Sequence, residues 1–368
     1  MTIDTILNGI REGIAKDILA RRDKTPTFEP ANLDPYISAS VLQKAIRRGE
    51  ERIALRAAAR LLESDPNRLW RRLLVIAFED VGVAEIKAVG RVVAAHGQKR
   101  WRSAHGGEWS IVALLVSELC RAAKDRTADD LLHLAENDPA FRDHRRCWSA
   151  APIEKLTMFM GCPGLGLPEK ALAVWFGIGT DRYRSDALRQ RGGFPEEVFA
   201  TYKALGVPGD VLAISWTGHR KMSWPLAAFM PLVWLRFQNT VRRCEPDPLQ
   251  SDTMIDDAPS YALDAYTRSG KAAIRELLRT SIRLRRFLSA HAPEKTWPKI
   301  AAVVLFRVEG GLMSNRLRWT EGDGIKASAE MIVPGLASEA VPEGLAILRN
   351  ELSALNAIRE RIGVPNLR

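Results

Sequence analysis

From Tyr36 to about Leu132 apolar residues return every three or four positions almost without interruption. That spacing places them on one side of an α-helix, whereas a strand would scatter them over both of its faces. The runs are SASVLQKAIRRGEERIALRAAARLLESD, PNRLWRRLLVIAFEDVGV, IKAVGRVVAAHG and EWSIVALLVSELCRAAKD. Their punctuation is also helical. Ser64 to Asn67 separates the first two, Gly97 ends the third, and Thr127 to Asp130 has the composition of a cap and first turn. The reading is an all-α, multidomain helical protein.

The flanking segments extend this reading. Ile3, Ile6, Leu7, Ile10, Ile14 and Ile18 form an amphipathic N-terminal helix, and TPTFEPANLDPY after it reads as a linker or surface arm. The expected organisation is an N-terminal helix and linker (1–35), a helical domain (36–140), an irregular helical domain of unknown role (141–245), an exposed linker rich in acid and proline (246–260), and a basic, mainly helical domain (261–368). The last contains GKAAIRELLRTSIRLRRFLSAH as one basic helix, AAVVLFRVEGG as strand or helix, and a helix from about Pro342 to Ile362. No internal repeat of fixed period stands out.

A chain of 368 residues exceeds one ordinary core, and its 46% hydrophobic and 27% charged residues suit folded domains. The net charge of +10 favours a polyanion, foremost DNA, because neutralising phosphates releases counterions. Cys120, Cys147, Cys162 and Cys244 form no CxxC pair, which fits reduced thiols and a cytoplasmic setting. The most apolar run, Trp224 to Leu235, is too short to cross a bilayer and contains Pro225 and Pro231, so no membrane partner is expected.

Residues 37–84 carry Ile37, Ser38 and Ala39, then Lys44 and Ile46, then Ala58, Arg60, Leu61 and Leu62, Asp65 and Pro66, and finally Arg71, Arg72 and Leu73 followed by Ala77, Glu79, Asp80, Val81 and Gly82. This pattern resembles the C-terminal helical region of the replication-associated recombination protein A family, clamp-loader-related AAA+ ATPases. SIVALLVSELCRAAKDRTADDLL continues the likeness, which covers residues 36–132. The resemblance implies a clamp-loader-collar-like domain that holds subunits together. ATP hydrolysis in that family belongs to an N-terminal motor, and only about 35 residues precede the matching region here. No GxxxxGK[ST] loop occurs, since Gly270-Lys271 is followed by Ala272. The expectation is a motor-less, non-catalytic DNA-associated protein in replication, recombination or repair, acting as a homo-oligomer or within a larger complex and needing no cofactor.

Two arginine stripes are the candidate phosphate contacts. Arg48, Arg52, Arg56 and Arg60 recur every fourth residue, with Arg71 and Arg72 on the next helix; Arg275, Arg279, Arg283 and Arg286 recur in the final domain, with Arg285 beside them. A solvated helix face with local ion pairs accounts for the same spacing. Glu79 and Asp80 read as structural rather than catalytic, binding those arginines or capping a helix. ISWTGHRKMSW gathers His219, Arg220 and Lys221 with Trp216 and Trp224 around a glycine turn, a composition fit for stacking bases and holding phosphate; burial or a subunit interface accounts for Trp216, Trp224 and Trp234. His133, His144, Cys147 and Cys120 match no compact zinc spacing, and Asp252, Asp256 and Asp257 lie in linker-like sequence without a nuclease signature. Gly161, Gly164 and Gly166 stand among prolines as turn formers. The alternatives to a DNA-assembly role are a protein–protein adaptor without DNA contact and a metal-dependent nuclease or phosphotransferase whose acids meet only in the fold.

Overall fold

The structure is a computed structural model that describes residues 2–21, 27–183, 185–238, 240–250 and 252–364. Thr25 and Pro26 of the expected arm, and Ser251 of the expected linker, lie outside the described residues. Helices dominate. The first seven are α1 (Ile3–Ala20), α2 (Pro35–Arg48), α3 (Glu51–Ser64), α4 (Pro66–Ile76), α5 (Ile86–Ala95), α6 (Lys99–Ala104) and α7 (Gly107–Arg121). The next seven are α8 (Thr127–Asn137), α9 (Arg142–Trp148), α10 (Ile153–Gly161), α11 (Leu167–Ile178), α12 (Pro195–Ala204), α13 (Gly209–Lys221) and α14 (Leu226–Phe237). The last six are α15 (Arg268–Thr280), α16 (Ile282–His291), α17 (Trp297–Leu305), α18 (Thr320–Glu330), α19 (Val341–Asn350) and α20 (Leu352–Ile362).

Among the described residues, strand content is confined to two small antiparallel pairs. β1 (Arg243–Glu245) lies against β4 (Arg316–Arg318) with Cys244 opposite Leu317, and β2 (Met254–Ile255) pairs with β3 (Ala258–Pro259). The all-α class therefore holds.

Local chemistry sets the helix limits. Asp34 starts α2 by accepting the amides of Tyr36 and Ile37 at 2.7 and 3.1 Å, with Pro35 in the first turn where no amide partner is needed. Asp65 does the same for α4 through Arg68 N, ahead of Pro66. At the end of α7, the buried Lys124 ammonium donates to the carbonyls of Leu119, Cys120 and Ala122 at 2.8, 3.1 and 2.5 Å. It satisfies groups that the helix itself leaves unpaired, and burial lowers its pKa to about 8.

Two helices run on into π-helical turns. α4 continues into Ala77–Val81, and α17 continues into Phe306–Gly310. Each follows a helix, a helix and a proline-led third helical segment: α2, α3 and α4 in one case, and α15, α16 and α17 in the other. AAVVLFRVEGG is thus helical throughout its buried part. In both copies a proline is followed two residues on by a basic residue and four on by tryptophan, as Pro66, Arg68 and Trp70 and as Pro293, Lys295 and Trp297. The recurrence is one of element order, which explains why no fixed sequence period exposes it.

One apolar cluster runs from Leu7 of α1 to Leu263 and also takes in Trp319, Ile325, Ala329 and Val364. A second joins Ala273, Ile274 and Leu277 of α15 to Leu284 and Phe287 of α16, Val304 of α17, and Ile347 and Leu355 beyond. α18 lies within the sequence of the C-terminal segment but packs on α8, so Ile325 and Ala329 belong to the larger cluster.

Three expectations are corrected. The 246–260 segment is not exposed throughout: Asp247 is buried and accepts two nitrogens of Arg316 at 2.8–3.0 Å, and Ala258 is fully buried, while Pro246, Pro248 and Leu249 remain exposed. The basic helix is two helices, because Ser281 caps α16 through Leu284 N and donates to Glu351 Oε1 at 3.0 Å. The final helix is likewise broken between Asn350 and Leu352.

Gly218 forms no turn. It lies within α13, where an added Cβ would stand 2.3 Å from the Phe78 ring. Gly218→Ala should therefore cost about 1–3 kcal/mol as an overpacked core, whereas Gly209→Ala, with open space around it, should leave the urea midpoint nearly unchanged. Equal midpoints for the two variants would contradict this packing.

Candidate nucleic-acid interface

The AFEDVG sequence is legible once its surroundings are in place. Phe78 is buried against Gly218. Gly82 adopts φ +51°, and a Cβ there would meet Asp125 O at 2.8 Å, so the chain requires glycine. Between them, Asp80 accepts Arg47 Nε at 2.7 Å and Arg126 Nη1 at 2.5 Å on one oxygen, and Gln43 Nε2 at 3.0 Å on the other. Glu79 Oε1 accepts the same Arg126 nitrogen at 2.8 Å, and Arg126 also reaches Asp129.

Burial alone would raise the Asp80 pKa, but Arg47 and Arg126 overcome it and hold this carboxyl at about 2. Glu79 shifts upward, chiefly through burial and only partly offset by Arg126. The acids therefore bind arginines, as the sequence reading expected, but the partners are Arg47 and Arg126 rather than the members of the exposed stripe.

Arg47 carries the network to the second π turn, donating to Gly310 O while Phe306 lies with its centroid 5.3 Å from both the Arg47 and the Arg126 guanidinium. Arg359 grips Glu309 with two bonds of 3.0 and 2.8 Å and donates to Leu263 O at 3.1 Å. Lys44 pairs with Asp264 at 2.9 Å. These buried ions are mutually satisfied, so they form scaffold.

The first stripe does not survive folding as a single face. Gly49, at φ +74°, ends α2 after Arg48, while Arg52, Arg56 and Arg60 belong to α3. Arg48 is buried, donates to Glu309 O at 3.3 Å and stacks 4.0 Å from the Tyr261 centroid. Arg56 pairs with Asp257 at 3.1 Å, Arg60 donates to Leu33 O at 2.9 Å, and Arg72 donates to Gln43 Oε1 at 2.8 Å. Arg52 and Arg71 are exposed.

His219 is also corrected as a phosphate ligand. It is 3% exposed inside α13, with Nε2 3.2 Å from Arg182 Nη1. Burial, then the charge of Arg182, lowers its pKa to about 4, so it is neutral near pH 7. Arg220 and Lys221 remain exposed on the same helix end. Trp216, Trp224 and Trp234 are half-buried: Trp216 packs edge-on to Phe199, and Trp224 edge-on to Tyr183.

The second stripe divides as well, Arg275 and Arg279 falling on α15 and Arg283 and Arg286 on α16, yet all four are exposed, as is Arg285. Arg279 pairs with Glu276. Among the described residues, Arg275, Arg283, Arg285 and Arg286 have no acidic side-chain partner. Arg275, Arg279 and Arg285 line an open groove of about 640 Å³ with Ala272, Leu278, Glu294, Trp297 and Pro298. Sequence reading missed Trp297, whose signal was a tryptophan in the basic EKTWPK stretch.

Among the described residues, no group of three or more histidines, cysteines or acids is placed to hold a metal. Asp257 is held by Arg56, His133 Nε2 lies 2.7 Å from Ile332 O, and the four cysteines are unpaired. No described helix is long and apolar enough to cross a membrane.

The chain is 39% identical over 94 residues to the Replication-associated recombination protein A of Bacillus subtilis (strain 168). The match covers 25% of this chain and 22% of that relative, so the likeness is partial. No family model and no solved structure matches.

Removing the central acid leaves two buried guanidinium groups undercompensated. Asp80→Ala should lower folding stability by about 3–5 kcal/mol in denaturant titrations; a loss below about 1 kcal/mol would place the ion network outside the stable core.

Acid supplies a second test. Between pH 6.5 and about 4 the unfolded chain protonates His219 while the folded chain does not, so this residue's contribution to stability declines as pH falls through that window. His219→Gln should flatten that part of the pH dependence in melting curves and leave the slope above pH 7 unchanged.

Proposed function

We propose that this chain is a non-catalytic, DNA-associated assembly protein of replication, recombination or repair, with Arg275, Arg279, Arg283 and Arg286 as its principal phosphate contacts. The observation that carries the proposal is the exposed arginine cluster on two consecutive helices, where among the described residues Arg275, Arg283 and Arg286 have no acidic side-chain partner and Arg279 has only its surface pairing with Glu276. Phosphate binding releases counterions and requires no base recognition. The partial likeness to Replication-associated recombination protein A supports the cellular process. Residues 36–140 are proposed as a collar-like unit that joins copies of the chain or attaches it to a replication or repair complex.

The cluster favours DNA over an adaptor role, because uncompensated arginines are a poor surface for a generic apolar partner. Purified protein should bind labelled DNA with an affinity that falls steeply as salt rises, while light scattering shows more than one copy per particle. Replacing the four arginines by alanine should weaken binding at all sequences and reduce the magnitude of the salt slope by about 1 for each lost contact. A monomer that binds neither single- nor double-stranded DNA at low salt would refute the proposal; retained oligomerisation without DNA binding would favour the adaptor.

A further inference from the structure

We infer that the groove between α15, α16 and the start of α17 is a subsite for single-stranded nucleic acid, with Trp297 as the base platform and Arg275, Arg279 and Arg285 as the phosphate clamp. This rests on the DNA-binding reading and goes beyond it by naming the strand state and the stacking residue. The groove combines the two surfaces such a ligand needs: Ala272, Leu278, Trp297 and Pro298 supply apolar wall, and three arginines oppose the single carboxylate of Glu294. A volume of about 640 Å³ is within the range of small-ligand sites and can take a nucleotide unit while its open side lets the strand continue.

The recurring helix order sharpens the assignment. Trp70 occupies the same place after its proline as Trp297 does, but Trp70 is 5% exposed, with the Arg102 guanidinium 4.0 Å from its centroid and its Nε1 bonded to Glu108 at 3.1 Å. There α6 and α7 supply the cover. Trp297 is instead half-buried, its Nε1 donates to Ala292 O at 3.0 Å, and among the described residues no cation stands over its ring. The Ala292 bond orients the indole from one edge. An incoming base can take the role that Arg102 fills at Trp70, provided that the base is unpaired, because a duplex keeps its base faces stacked on one another.

The charge arrangement agrees. Arg279 has a solvent-exposed pairing with Glu276, which a phosphate can displace at little cost, and Arg275 and Arg285 have no acidic partner among the described residues.

The test uses the full chain, a short oligothymidylate and a duplex of equal length. Trp297→Ala should weaken oligothymidylate binding about 5- to 100-fold, leave duplex binding within about twofold, and Trp297→Phe should recover most of the loss. Because an alanine substitution can disturb α17, unaltered protein is also cross-linked by light to bromouracil-substituted oligothymidylate. Attachment within the Trp297 peptide is expected. Attachment elsewhere, equal losses on both polymers, or polyglutamate competing as effectively as oligothymidylate overturns the subsite. Unchanged oligothymidylate binding by Trp297→Ala, together with strong loss in the four-arginine variant, overturns the subsite but retains DNA binding. No binding by unaltered protein removes both.

Discussion

The sharing of one Asp80 oxygen by Arg47 and Arg126 is the constraint on which much of the remaining arrangement depends. It fixes the first π turn against α2 and the segment before α8, and Arg47 carries the same connection to the backbone of the second π turn. Taking these charges out of water is costly unless each is matched. That requirement explains Gln43 on the remaining Asp80 oxygen, Glu79 and Asp129 around Arg126, and Phe306 against both guanidinium groups. A displaced π turn would strand ions, so the network opposes alternative packings that apolar contacts alone would tolerate.

Further buried pairs extend this organisation into the C-terminal segment. Glu309 with Arg359 ties the second π turn to α20, and Asp247 with Arg316 ties the 246–260 segment to β4. Trp319 donates to Asp125 at 2.9 Å and places the start of α18 beside α8. The two apolar clusters are joined by directional, charge-assisted bonds from Arg47 to Gly310 O and from Arg359 to Leu263 O, which specify registration more sharply than a smooth hydrophobic contact.

The recurring helix–helix–helix–π order meets two different environments. Around α2 to α4, later helices cover the tryptophan, and neighbouring elements hold Arg47 and Arg56 as ion pairs and Arg48 and Arg60 through backbone carbonyls. Around α15 to α17, the corresponding tryptophan is half-buried and the arginines remain in water. The same local architecture therefore serves as interior in one place and as accessible surface in the other.

The apolar period made the helices readable, since burial of one face leaves its 3.6-residue repeat in the sequence, and the caps at Asp34 and Asp65 were visible from residue type and Pro placement. Arginine spacing revealed where positive charge concentrates. It could not distinguish Arg48, folded beneath Tyr261 and Glu309, from Arg52 in solvent, because Gly49 redirects the chain between them. Nor did local composition disclose that Asp247 is buried by Arg316, 69 residues away in the chain, or that Trp297 lacks the cover given to Trp70. Sequence by itself determined the helical class, the basic balance and the breaks at Ser64 to Asn67 and at Gly97 because these arise from periodicity, charge and near-neighbour bonding; tertiary structure decided which charges are scaffold and which are surface because that depends on desolvation by distant partners.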